Sequence, residues 1–338
     1  MSGESTRPDA SGGREIDRKI LEIFRSRDGG VVSGEELSRS LAVSRTAVWK
    51  HVNALKGLGY HIEAVPSRGY RLISIPDILT PAELSAGLQV SRIGASLVCV
   101  GETDSTNTLA YRLAEEGAAE GTVVIADAQN RGKGRLGRQW ESPAGVNLYC
   151  SIILRPPIMP LHAPQLTFLS AVAVAEAIER SAGLAPVIKW PNDVLVNGFK
   201  VAGMLNEMSA ETERVEFLVL GIGVNINMRH HQFPADLRHP ASSLAMEAGH
   251  EVGRLSFART LLESLDRHYG RYLSEGYGPL RQAWLDRSAV MGRRVRVSGQ
   301  QGDIRGTVEG IDEIGALLLR TAGGTLERVL AGDVTIEG

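Results

Sequence analysis

The sequence predicts an α+β protein in three parts: an N-terminal winged helix-turn-helix, a central α/β domain with a mixed sheet, and a C-terminal small SH3-like β-barrel. Three observations predict it. Three short helical patterns lead into a period-two hairpin within the first 75 residues. Strand and helix patterns then mix from about residue 84 to 287, and short valine and leucine runs split by Gly and Asp fill 291–338. At 338 residues the chain is long for a single core, since domains hold about 150 residues.

Residues 1–13 are rich in Ser and Gly with little to bury, and are expected to form a disordered tail. The winged helix-turn-helix is expected over 14–75. Ile16, Ile20, Ile23 and Phe24 recur at helical spacing, and Gly29 and Gly30 end that helix. Ser33 with Glu36 three residues later reads as a capping box opening a second helix to about Leu41. Ser44 caps a third helix with Val48, Val52 and Leu55 inward and Gly57 and Gly59 at its end. Alternation around Pro66 to Gly69 predicts a two-stranded wing, and Pro76 and Pro81 mark a linker.

The central domain is expected over 84–287. Strands are predicted at 96–102, 121–128, 146–154, 186–189, 200–209 and 214–224, with helices near 105–116, 161–182, 254–273 and 278–287.

Bulk properties narrow the function classes. The net charge of -2 hides a slightly basic front end, because residues 1–75 hold 12 Lys or Arg against 9 Asp or Glu. That fits a polyanionic partner. Cys99 and Cys150 lie far apart without a metal-ligand spacing, which predicts buried free thiols in a reducing compartment. The first residues lack an apolar segment, and the longest apolar run, Leu166 to Ile178, carries Ser170 and Glu176 and is too short to span a bilayer. A cytoplasmic protein with no membrane partner is expected.

The most informative stretch is QNRGKGRLGRQW at 129–140, where Gly132, Gly134 and Gly137 alternate with Arg131, Lys133, Arg135 and Arg138. It contains GxGxxG, but a dinucleotide fold needs that motif to open a helix, and Ser142, Pro143, Ala144 and Gly145 follow instead. Glycines let amides approach a phosphate while the cations neutralise it, so an anion-wrapping loop explains both features; a solvated basic loop is the plainer alternative. Lys189, in KWPND at 189–193, closes an apolar strand and is expected to face a cleft as a fixed positive charge; a surface lysine before a Trp-Pro-Asn turn is the plainer reading of this pentapeptide alone. Such a cation suits a reaction in which a carboxylate attacks the α-phosphate of ATP.

With DSTN at 104–107, GKGRLGRQW at 132–140, KWPND at 189–193, KVAGMLNE at 200–207 and GIGVNIN at 221–227, the chain resembles the biotin protein ligase family. The N-terminal SGEELSRSLAVSRTAVWKHVNALKGLGY and VPSRGYRL extend the resemblance to its bifunctional members, the biotin operon repressors. The resemblance implies two steps: biotin and ATP, with Mg2+, give biotinyl-5'-adenylate and pyrophosphate, and biotin then passes to a lysine of a biotin carrier domain of a biotin-dependent carboxylase. It implies that Ser105, Thr106, Asn107 and Gln129 hold the ureido end of biotin, and that Gly132, Lys133, Gly134 and Arg135 close over biotin and its adenylate. Lys189, with Arg135, would be catalytic, touching both the biotin carboxylate and the α-phosphate. Arg138, Asn192, Asp193 and Asn225 would lie near the nucleotide. The segment after GIGVNIN has no tryptophan, which leaves Phe233 as the candidate ring for adenine. His230, His231 and His239 match no common ligand set, and no tightly bound metal is expected.

On the third helix Arg45, Trp49 and Asn53 share one face beside Ser44, Thr46 and Lys50, a face that can enter a major groove. Lys50, Lys56 and the wing residue Arg68 would meet phosphates, while Trp49 reads either as part of that face or as packing on the wing. One small winged helix makes few phosphate contacts, so two copies on a two-fold symmetric site are expected. The resemblance implies that this site is operator DNA of biotin genes and that the adenylate promotes the homodimer. Three alternatives stay open: a ligase whose DNA-binding domain regulates nothing, a sensor without catalysis, and a lipoate-ligase-like acyl adenylate transferase.

Overall fold

A computed structural model of the chain describes residues 10–235, 237, 240–299 and 302–337. It separates into two compact units, Met1–Asp77 and Ile78–Gly338.

The first unit holds α1 (Ala10–Ser26), α2 (Gly34–Leu41), α3 (Arg45–Gly57), β1 (His61–Val65) and β2 (Gly69–Ser74). The tail expected over 1–13 lies outside the described residues as far as residue 9, and residues 10–13 extend α1 instead. Gly12 and Gly13 lower helix propensity without forbidding it. Of the positions that helical spacing turns inward, Ile20, Phe24, Val48, Val52 and Leu55 are buried, Ile16 and Ile23 are half-buried, and Leu37 joins them from α2. Half of the expected capping box forms: Glu36 N donates to Ser33 Oγ at 3.0 Å, while the Glu36 carboxylate pairs with Arg27. Ser44 caps α3 by accepting from Ala47 N at 3.2 Å. The wing is stitched to the α1–α2 loop through Val32 N to Tyr70 O at 2.8 Å and Tyr70 N to Val32 O at 2.9 Å. Gly69, at φ +130, makes that approach possible, because a Cβ there would lie 2.1 Å from Val32 O.

In the second unit part of the expected linker is a helix, α4 (Pro81–Ser85), capped by Thr80 with Pro81 in its first turn. The centre is a seven-stranded mixed sheet of β3 (Ser96–Thr103), β4 (Thr122–Gln129), β5 (Leu148–Leu154), β6 (Val187–Lys189), β7 (Asp193–Val196), β8 (Phe199–Ala210) and β9 (Val215–Val224). Their order is β3-β4-β5-β9-β8-β7-β6, parallel at β3–β4 and antiparallel at the other pairings. Helices α5 (Thr106–Glu115), α6 (Pro164–Ala182), α7 (Leu244–Ala248), α8 (Arg254–Glu275) and α9 (Tyr277–Leu285) complete the layer packing. The stretch Pro160–Ala182 is long and apolar enough to cross a membrane by length and composition, contrary to the expectation from sequence. It is 72% buried within the unit, with Leu166, Phe168, Leu169, Val172 and Ile178 in the main core, as expected of an interior helix.

The last strands, β10 (Arg294–Gly299), β11 (Gly302–Ile311), β12 (Leu317–Arg320), β13 (Leu326–Val329) and β14 (Asp333–Ile336), form an antiparallel sheet in the order β13-β12-β11-β10-β14. No ladder joins β13 to β14 among the described residues, so the expected barrel takes the form of a five-stranded sheet. Val295, Val297, Leu317 and Val334 share one core with α6. The β11–β12 loop is seated closely: a Cβ on Gly315 would meet the Phe168 ring at 2.6 Å, and Trp190 Nε1 donates to Gly315 O at 3.1 Å.

Candidate functional site

Where β3 turns into α5 and β4 ends, the sheet opens into a cavity of about 230 Å³. The α5 N-terminus forms one wall. Gln129 Oε1 accepts from Thr106 N at 2.8 Å and from Thr106 Oγ1 at 3.1 Å, and Gln129 Nε2 donates to Ser142 Oγ at 2.9 Å. Asn107 donates to Leu205 O at 3.1 Å and Glu207 Oε2 at 2.8 Å, and accepts from Ser151 Oγ at 2.6 Å. Its amide hydrogens are therefore spent within the protein. The Ser105 hydroxyl, by contrast, caps no amide of α5 and belongs to the cavity wall.

The glycine-containing loop is a hairpin flap, not a helix-opening turn. Gly134 N donates to Arg138 O at 2.7 Å and Trp140 N to Gly132 O at 2.9 Å, with the bend at Leu136 (φ 57) and Gly137 (φ 72). Leu136 at the tip is 68% exposed. Gly132 itself is absent from the cavity wall: it is buried in the stem, where a Cβ would come 2.3 Å from Trp140 O. The other expected site residues, Lys133, Gly134, Arg135, Arg138, Lys189, Asn192, Asp193, Asn225 and Phe233 with the Ser105 to Gln129 group, all line the cavity. Asn225 is buried and donates to Ser242 O at 3.1 Å. His239 lies outside the described residues.

Five cations reach this wall. Lys133 pairs with Glu207 at 2.9 Å, and Arg138 pairs with Asp333 of β14 through both guanidinium nitrogens. Arg135 donates to the neutral Asn192 Oδ1 at 3.1 Å. Burial holds the Arg135 pKa below its ordinary value while Asp333 and Asp193 pull it up, so an incoming anion would stabilise this half-buried cation. The Asp333 hydrogen bond raises Arg138 instead.

Sequence reasoning singled out Lys189 but missed Lys200. Lys200 Nζ lies 2.6 Å from Asp193 Oδ1, an ion pair outside hydrogen-bond angles, and 5.3 Å from the Trp140 ring centroid. It also missed Trp140, Glu207, Ser151 and Asp333. Trp140 lies over two glycines that are cross-strand partners, Gly203 and Gly223, and a Cβ on Gly223 would come 2.7 Å from the indole. Its buried Nε1 has no acceptor among the described residues, which suits a bound polar group. The quoted motifs carried Trp140, Lys200 and Glu207; nothing local marked Ser151 or Asp333.

In the first unit, Ser44, Arg45, Thr46, Trp49, Lys50, Asn53 and Lys56 are exposed along α3, and Arg68 is exposed at the wing turn. Trp49 is 55% exposed, so it belongs to the open face rather than packing on the wing. Arg45 pairs with Glu35 at 3.0 Å in this state.

A basic flap over a cavity with a polar end, on a mixed sheet preceded by a winged helix, defines a carboxylate-activating ligase with a DNA-binding partner unit. Family models match part by part: HTH domain over residues 17–71, Biotin/lipoate A/B protein ligase family over 100–225, and Biotin protein ligase C terminal domain over 290–336. The chain belongs to the biotin protein ligase family. It is 39% identical to the Bifunctional ligase/repressor BirA of Bacillus subtilis (strain 168), over 94% of this chain and 98% of that protein. It is 30% identical to the Bifunctional ligase/repressor BirA of Escherichia coli (strain K12), over 94% and 96%. Among solved structures, biotin protein ligase from Aquifex aeolicus in complex with biotin and ATP is similar with a TM-score of 0.62 at 29% identity, covering 72% of this chain and 99% of that chain.

Proposed function

We propose that the chain is an ATP-dependent biotin protein ligase that also represses biotin synthesis genes when it holds biotinyl-5'-adenylate. The observation that carries the reading is one cavity with a hydrogen-bonding neutral end at Ser105, Thr106 and Gln129 and a cationic wall of Arg135, Lys189 and Lys200. A urea-like ring suits the first end, and a carboxylate joined to a phosphate suits the second.

In the first step a biotin carboxylate oxygen attacks the α-phosphorus of ATP, and the bond to the β-phosphate breaks to release pyrophosphate. Negative charge grows on the phosphoryl oxygens, and preorganised cations stabilise it without reorganising. Lys200, fixed by Asp193 and by the Trp140 ring, is held in place for this role, and Lys189 adds a second ammonium from the end of β6. Arg135 approaches from the flap, while the Asp333 pair commits Arg138 to holding the flap. Asn107 acts through the frame it builds around Ser151 and Glu207, and Phe233 offers a ring to adenine. Mg2+ would enter with ATP and would supply charge neutralisation at its phosphates.

In the second step the amine of a carrier lysine attacks the mixed anhydride carbonyl, AMP leaves and the nitrogen loses a proton. The flap excludes water until then. The exposed α3 face and the wing bind operator DNA as a homodimer, and adenylate binding favours that dimer by linkage. A cytoplasmic location follows from the same reading.

Incubation of a biotin carrier domain with the protein, ATP and biotin, followed by an avidin blot, tests the ligase: biotin labelling is expected, and no labelling overturns it. A gel shift on the biotin operator is expected to tighten when biotin and ATP are present together. Binding that ignores them leaves a ligase without regulation.

A further inference from the structure

Three tethers hold the flap, each from a different part of the unit: Glu207 of β8 takes Lys133, Asn192 of the turn after β6 takes Arg135, and Asp333 of β14 takes Arg138. The third differs in origin and strength. Asp333 lies 195 positions from Arg138 in sequence. Its carboxylate meets the guanidinium at two nitrogens, the geometry that gives such pairs both strength and direction. It is only 13% exposed against 40% for Arg138, so solvent screens the pair on one side only. Asp333 and Val334 also form part of the cavity wall, and the Asp333 charge acts on Arg135 as well.

We propose that Asp333 is a positioning residue for adenylate retention: acting through Arg138, it latches the flap to the C-terminal sheet and keeps the cavity shut over the intermediate. The sheet is rigid where this matters, since β14 pairs with β10 from Ser298 and Asp333 onward and its core is continuous with that of α6. The flap side of the pair is the part able to move, because its stem has two ladder bonds and its tip is exposed. This inference rests on the ligase reading.

The test uses the full chain as Asp333→Asn, Asp333→Glu, Arg138→Ala and the double variant Asp333→Asn/Arg138→Ala. Each is loaded with labelled biotin and ATP in the presence of pyrophosphatase, and the release of labelled adenylate is timed after removal of free ligand. Release is expected to rise roughly three- to tenfold in Asp333→Asn, with Asp333→Glu between it and the parent. The double variant is expected to release no faster than the quicker single one, because both remove the same bond. Unfolding midpoints measured alongside separate the latch from mere loss of structure. A well-folded Asp333→Asn that releases at the parent rate, or additive effects in the double variant, overturns the latch. A parent protein that retains no adenylate at all overturns the ligase reading instead.

Discussion

The Lys200 ammonium lies 2.6 Å from Asp193 Oδ1, and the two residues are brought together because Asp193 opens β7 and Lys200 enters β8 across a tight strand turn. Beside the Trp140 ring this fixes a positive charge at the cavity wall before any substrate arrives. Lys200→Ala is therefore expected to slow pyrophosphate release by about 10²- to 10³-fold with little change in unfolding midpoint. Lys189→Ala is expected to abolish adenylate synthesis while leaving the fold intact. Near-normal turnover in either variant removes that lysine from the mechanism.

Gly223→Ala would push a methyl to within 2.7 Å of the Trp140 indole. Displacing the ring is expected to cost about 1–3 kcal/mol, read as a raised KM for biotin together with a red-shifted tryptophan emission. An unchanged KM would show that Trp140 does not shape the biotin end.

Trp49 stands 55% exposed at the middle of α3, so Trp49→Ala is expected to weaken operator binding while leaving thermal stability within about 0.5 kcal/mol. Lys50→Ala and Arg68→Ala are expected to reduce the salt dependence of binding by about one counterion each. Anisotropy titrations across a salt series check both, and a salt slope that stays put removes those lysine and arginine contacts.

Asp266 fastens the segment before β3 to α8. Burial opposes its ionisation, but it accepts from Ser91 N at 2.8 Å, Ile93 N at 2.7 Å, Arg92 N at 2.9 Å and Ser91 Oγ at 3.0 Å, and the net effect holds its pKa below the ordinary 3.8. A carboxyl depressed on folding stabilises above its unfolded pKa, and that contribution fades as pH falls toward and through the folded one. Asp266→Asn is expected to lower urea stability by about 1–3 kcal/mol at pH 7, with the gap to the parent narrowing below about pH 4. A gap that stays constant with pH would contradict the carboxylate role.

Much of this was legible in the sequence because it is local. Amphipathic spacing placed α1 to α3 and the long helices, and strand runs located six of the sheet's strands within a few residues. Among short elements, β6 showed through the apolar run that Lys189 closes, whereas β7, α4 and α7 span four or five residues each, too few for a period to show. The site divided in the same way. Ser105, Gln129, Arg135 and Lys189 sit in motifs, so order and spacing marked them before the fold placed them at the cavity wall. Lys200 needed the β7–β8 pairing to be seen beside Asp193, and Asp333 needed the packing of the last sheet against the flap. Asn107 was also found, and it lines the cavity, but only the fold reveals that Glu207 and Leu205 take its amide hydrogens.

The paired glycines Gly203 and Gly223 mean that the strand floor beneath Trp140 has no side-chain volume left to give up. Directed evolution toward bulkier vitamin analogues therefore has to find room elsewhere, at Met204, Leu205 or the ring itself, and a library restricted to shrinking the floor has nothing to shrink.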